Sequence, residues 1–143
     1  MFRKLSDTMF AAPQIGTDAV SAAAAQGIAM IINNRPEGES DDQTSGLEIE
    51  AAARSAGMDY VAIPVSHAGF SESQVSAMVA AIGAAKGPVL AYCRSGTRST
   101  LLWALAQASE GVDPDAIARS AADAGYDIGP VRAMVDMLAA QPR

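Results

Sequence analysis

PVLAYCRSGTRSTLLWALA, residues 88–106, joins three kinds of sequence without a break. Pro88 to Cys93 is an apolar run with no polar alternation, as expected of a strand covered on both faces of a parallel sheet. Arg94-Ser95-Gly96-Thr97-Arg98-Ser99 then supplies a glycine, hydroxyls and two cations. Leu101, Leu102, Leu105 and the alanines between them form a helix that is apolar nearly all round and therefore central. In a strand–turn–helix unit of this kind, backbone N–H groups and the helix N-terminus can converge on one anion.

The same alternation continues outward. Ile28 to Ile32 is a second apolar run, bounded by Asn33-Asn34. Met58 to Val65 is a third, with Pro64 near its end. Thr17 is placed as the N-cap of a helix ending at Gly27, and Leu47 to Ala56 as a short amphipathic helix stopped by Gly57. Ser71 with Gln74 fits a capping box ahead of the stripe Val75, Met78, Val79 and Ile82. Asp113-Pro114 opens a helix running to Ala124, and Gly129-Pro130 opens the last one. The spacing predicts that these two form a hairpin against the sheet. Two short strands are expected around Asp7-Thr8. The longest loop is RPEGESDDQTSG, residues 35–46. The expected fold is α/β, with a mainly parallel four- to five-stranded sheet flanked by helices on both faces.

At 143 residues the chain is one domain, long enough to bury a core without disulfides or metals. Apolar residues make up 50% and aromatics 5%, so the core is aliphatic and alanine-rich. A net charge of −6 lacks the basic footprint of a nucleic-acid or anionic-membrane binder. Cys93 is the one cysteine and His67 the one histidine, which excludes an internal disulfide and argues against zinc. No metal and no cofactor are expected. A lone cysteine and an N-terminus without a long apolar run lead to the expectation of a cytoplasmic protein.

Ligands of open α/β sheets bind at the C-terminal strand ends. Three segments fall there. Cys93 would lie at the floor of the loop, with Arg94 and Arg98 at its rim, a setting that favours the nucleophilic thiolate. Gly96 permits the tight path, backbone N–H groups from Arg94 through Ser95 to Ser99 face the anion, and the hydroxyls of Thr97 and Ser99 are further donors. The bland alternative is a small buried hydrophobe at a strand end. Asn33 and Arg35 are candidates for a pocket wall, against a surface Arg–Glu pair of little worth. His67 is a candidate binding residue and the only plausible acid on its loop, against a loop histidine without a role.

YCRSGTRS resembles the active loop of rhodanese-like sulfurtransferases and that of cysteine-dependent phosphatases. IINNRPEGE, AIPV and PVLAYCRSGTRS together resemble the phosphatase-like domain of beta-lactamase-hydrolase-like proteins. That resemblance covers Thr17 to Leu105. It implies a dual-specificity-phosphatase-like fold and, from fused members of the family, a persulfide dioxygenase-type enzyme as partner.

Between Cys93 and Arg98 stand four residues, one fewer than in protein phosphatases of this kind. The shorter cradle suits a sulfane sulfur better than a phosphoryl group. Related phosphatases carry an aspartate on the loop that here reads VSHAGFSES, which has none. The first expectation is therefore a sulfurtransferase. It would pass sulfur from a small anionic donor, thiosulfate or a low-molecular-weight persulfide, through a Cys93 persulfide to a thiol acceptor. The alternatives are a phosphatase working through a Cys93 phosphocysteine, and a persulfide- or redox-sensing module.

Overall fold

A computed structural model describes residues 2–142. Five strands form one sheet in the order β1-β2-β5-β3-β4. They are β1 (Arg3–Ser6), β2 (Met9–Ala12), β3 (Met30–Asn33), β4 (Asp59–Ala62) and β5 (Val89–Tyr92). The β1–β2 pair is an antiparallel hairpin turning at Asp7-Thr8, and all other pairings are parallel. The helices are α1 (Thr17–Ala25), α2 (Gly46–Ser55), α3 (Glu72–Ala84), α4 (Thr97–Ser109), α5 (Pro114–Asp123) and α6 (Arg132–Ala140).

Side chains alternate across the strands and split the core in two. Val89 and Ala91 of β5 join Met30 and Ile32 of β3 on the face covered by α3, α4, α5 and α6. Leu90 and Tyr92 join Ile31 on the face covered by α1 and α2. Both faces of β3 and β5 are thus dry, which is why neither run shows polar alternation. Leu102 and Leu105 of α4 are fully buried, as the all-round apolar pattern requires.

The switch in helix placement creates the site. From β3 the chain turns to α2 on one face, and from β5 to α4 on the other. The neighbouring C-terminal ends of β3 and β5 therefore open a crevice between them. They are in register, Asn33 opposite Tyr92, with the Asn34 N–H donating to the Tyr92 carbonyl at 2.8 Å.

Four expectations need correction. The run from Met58 to Val65 is not a doubly covered strand: β4 is an edge strand of Asp59–Ala62 with no buried residue, and the buried Ile63 and Val65 lie beyond it. Thr17 is the first helical residue of α1, and Gly16 caps it without a side-chain bond. The helix placed from Leu47 starts at Gly46, where the Ser45 side chain caps α2. Gly129-Pro130 forms a short 3-10 turn, and α6 begins only at Arg132. The capping box at Ser71 and Gln74 and the Asp113 cap are as expected.

Candidate active site

Cys93 follows the central strand directly. Its N–H reaches the Ala12 carbonyl of β2 at 3.4 Å, so the residue is set by the sheet and not by the loop. The Gly96 N–H donates to Cys93 Sγ at 3.1 Å. That inward peptide needs φ +91° at Gly96, a value that favours glycine. The Gly96 carbonyl then accepts from the Thr100 N–H at 3.0 Å and from its hydroxyl at 2.9 Å, which locks the loop into the first turn of α4.

The remaining loop residues divide between rim and interior. Arg94 is exposed, and its carbonyl accepts from the Gln14 N–H at 3.3 Å. Ser95 and Thr97 are exposed, and their hydroxyls bond each other at 3.0 Å instead of facing the sulfur. Ser99 is fully buried with no partner for its hydroxyl. Cys93 itself has 0% exposure, so a substrate atom touches Sγ only after the groups above it move.

Glu39 is the residue that organises the crevice. Arg98 Nη1 donates to Glu39 Oε2 at 2.8 Å and to the Val65 carbonyl at 2.7 Å, while Nη2 donates to Glu39 Oε1 at 2.7 Å. This is the two-pronged guanidinium–carboxylate geometry, the strong form of the contact. Arg35 Nε donates to the same Glu39 Oε1 at 3.0 Å, and its other nitrogens reach Gln14 Oε1 and Ser40 Oγ, each at 3.0 Å. Arg35 is 4%, Arg98 13% and Glu39 15% exposed. The bland reading of Arg35 as half of a surface pair therefore does not hold.

Hydrogen bonds from Arg98 pull the Glu39 carboxyl down to about 2, against burial and with help from Arg35. Glu39 in turn holds Arg98 charged, with burial opposing and the nearby Cys93 sulfur adding to the effect. A carboxyl depressed on folding stabilises the fold fully above its unfolded value, near 4.5. That contribution fades below it and is gone as pH falls through about 2. The stability gap between the wild type and Glu39→Gln, from urea melts at stepped pH, should be flat from neutrality to about pH 5 and close toward pH 2. A gap that has already closed at pH 5 would show that the arginines do not hold this carboxylate.

His67 lies on the loop after β4, 85% exposed, its Nε2 4.0 Å from Glu39 Oε2. Asn33 does not turn to the sulfur: its amide donates to the Tyr60 hydroxyl at 3.0 Å and its Oδ1 accepts from the Arg35 N–H at 2.9 Å. The structure thus brings together Cys93, Gly96, Arg98 and Arg35, leaves Arg94, Ser95, Thr97 and His67 at the rim, and spends Asn33 on shaping the strand end. Sequence reasoning missed Glu39 and Gln14 as members of the site. The four-residue spacing of Arg35 and Glu39 was a signal for their pair, but nothing local tied Glu39 to Arg98, fifty-nine positions on. Among the described residues, no three His, Cys, Asp or Glu side chains gather as a metal would need. A groove of about 600 Å³ between α3 and α6 is apolar and holds none of these residues.

Comparison with known proteins agrees with this fold. The sequence model for the phosphatase-like domain of beta-lactamase hydrolase-like proteins matches residues 1–110. A beta-lactamase hydrolase-like protein of Agrobacterium fabrum is 42% identical over 87 residues, which are 61% of this chain and 20% of that protein. One from Xylella fastidiosa is 36% identical over 117 residues, 81% of this chain and 27% of its own length. The chain thus spans about a fifth to a quarter of the curated relatives it matches. The crystal structure of a candidate phosphatase from Neisseria meningitidis superposes with a TM-score of 0.84 at 34% identity, covering 95% of this chain and 96% of that one. Kinase associated phosphatase superposes with a TM-score of 0.73 at 16% identity, covering 99% and 96%, a likeness of fold alone. No helix among the described residues is long and apolar enough to cross a membrane. With a dual-specificity-phosphatase-like sheet and a cysteine-dependent loop at its switch point, the chain belongs to the phosphatase-like domain family of beta-lactamase hydrolase-like proteins.

Proposed function

We propose that this domain transfers sulfane sulfur through Cys93. The observation that carries the reading is the state of Glu39, the carboxylate that pairs with Arg98. Glu39 is gripped by two arginines and held ionised, so it has no proton to give. Alkoxide and unactivated phenolate leaving groups need such a proton. Sulfite does not. In the first step the Cys93 thiolate attacks the outer sulfur of thiosulfate, the S–S bond breaks, and sulfite leaves with the electron pair. Cys93 then carries a persulfide. An acceptor thiolate attacks the terminal sulfur, takes it as a new persulfide, and returns Cys93 as thiolate. The Gly96 N–H, aimed at Sγ, favours the anionic sulfur at the start and end of the cycle. Two guanidiniums, Arg35 and Arg98, share the single Glu39 carboxylate, and that surplus positive charge draws the donor anion in. The short loop, with Cys93 fully covered, suits a small donor better than a phosphoprotein side chain. The consumer of the product would be a separate enzyme of persulfide dioxygenase-type chemistry, a partner that rests on the family resemblance alone.

The comparisons weigh toward a second reading, hydrolysis of a phosphate ester through a Cys93 phosphocysteine. The family's name and the Neisseria structure both point to phosphatases. Parallel assays on one preparation, with thiosulfate, glutathione persulfide and an aryl phosphate, separate the two. Sulfur transfer without phosphate release is the expected result, and rapid phosphatase turnover without sulfur transfer would reverse it.

His67 separates them further. A phosphatase lacking another acid would rely on it, and general acid catalysis is worth about 10²–10⁴-fold. Under sulfur transfer, His67→Ala should change the thiosulfate rate less than about tenfold, through donor binding at the rim. A loss above about a hundredfold with thiosulfate binding intact would make His67 catalytic and remove the basis of this reading.

A further inference from the structure

Tyr126 lies between α5 and α6, beyond the residues that the family's sequence model matches. Its ring is nevertheless packed against the cysteine loop. The hydroxyl donates to the Ser95 carbonyl at 3.3 Å. It also sits so close over Gly96 that a Cβ there would collide with it. The ring is fixed from behind: the Arg3 guanidinium stands 5.7 Å from its centroid and donates to the Ala124 carbonyl at 2.9 Å. Burial pushes the Tyr126 phenol up, so the hydroxyl keeps its proton and remains a donor.

The Ser95 carbonyl and the Gly96 N–H belong to one planar, trans peptide, and they point in opposite directions. Tyr126 holds the oxygen on one side, and Cys93 Sγ takes the N–H on the other. Gly96, at φ +91°, can accept either orientation of that plane at little cost. Rotated by half a turn, the peptide would present its carbonyl oxygen to the sulfur and repel a thiolate. Glycine therefore leaves the orientation undetermined, and a contact outside the loop has to fix it.

We infer that Tyr126 is a positioning residue for the nucleophile: its hydroxyl holds the Ser95–Gly96 peptide with the N–H turned to Cys93 Sγ. It touches neither substrate nor sulfur in this role. The inference rests on Cys93 being the nucleophile, the same premise as the proposed function, but not on which group is transferred.

Tyr126→Phe removes the hydroxyl and keeps the ring. Its test is iodoacetamide alkylation of Cys93 at two pH values, with the Gly96 amide resonance followed in a ¹⁵N-labelled sample. At pH about 7 the variant should alkylate roughly three- to tenfold more slowly than the wild type, and the difference should vanish by pH about 10. The Gly96 amide proton should move upfield as its bond to sulfur weakens. With thiosulfate, kcat should fall by a similar factor and KM stay within about twofold. Wild-type alkylation at pH 7 together with an unmoved Gly96 resonance would overturn the inference. A protein that transfers no sulfur, yet shows the alkylation and resonance changes on Tyr126→Phe, would refute the proposed reaction and leave this inference standing.

Discussion

Cys93→Ser should lower group transfer by at least about 10³-fold while leaving the fold in place. The sulfur is a nucleophile because its anion forms readily and is soft; a serine hydroxyl at the same point needs a base to become one. The carboxylate available, Glu39, is committed to two guanidiniums and is a poor base at a value of about 2. The Gly96 N–H that faces Sγ can still donate to a hydroxyl, so no polar group is stranded and the substitution is mild for the fold. The decisive readout is covalent. Under non-reducing conditions the wild type treated with thiosulfate should gain the mass of one sulfur atom, and Cys93→Ser none. Retention of a tenth or more of wild-type turnover in Cys93→Ser would mean that the chemistry lies elsewhere.

That outcome bears on how much of this site the sequence carries. Val89 to Tyr92 and the helix after Gly96 were legible because a strand covered on both faces and a helix covered all round leave no polar alternation to misread. The run Val61-Ala62-Ile63-Pro64-Val65 is just as apolar, yet only part of it is strand, at the sheet's edge. Its buried members, Ile63 and Val65, close the core from a loop, and local pattern does not distinguish that from a buried strand. The same limit hid the second half of the site. Residues 35–46 look like a solvated polar loop, and Glu39 looks like one acid among several. It becomes a hub only because β3 and β5 are neighbours in the sheet, which brings two strand ends far apart in sequence into one crevice. Gln14 and Tyr126 enter for the same reason, through the packing of β2 and of the α5–α6 connection around the loop.

Glu39→Ala should be the most destabilising single change in the crevice. The carboxylate neutralises Arg35 and Arg98, which are 4% and 13% exposed and cannot turn to water without opening the loop. Removing one member of such a buried set and leaving its partners charged typically costs about 3–5 kcal/mol. For a domain of this size each kcal/mol shifts the melting temperature by roughly 2–4 °C, so a fall of about 10 °C is expected. An added anion tests the cause. In Glu39→Ala two guanidiniums face an empty seat beside Cys93, so sulfate or thiosulfate should restore stability by mass action. At a hundredfold excess over its dissociation constant the gain is about 2.7 kcal/mol, most of the loss. The wild type, whose Arg98 prongs are already held, should gain much less. Kinetics should split in the same sense: a lower KM for the anionic donor, because a competing negative charge has gone, and a lower kcat, because Arg98 is no longer held in place. Melting within a degree or so of the wild type, indifferent to sulfate, would show that Glu39 decorates the crevice and does not organise it.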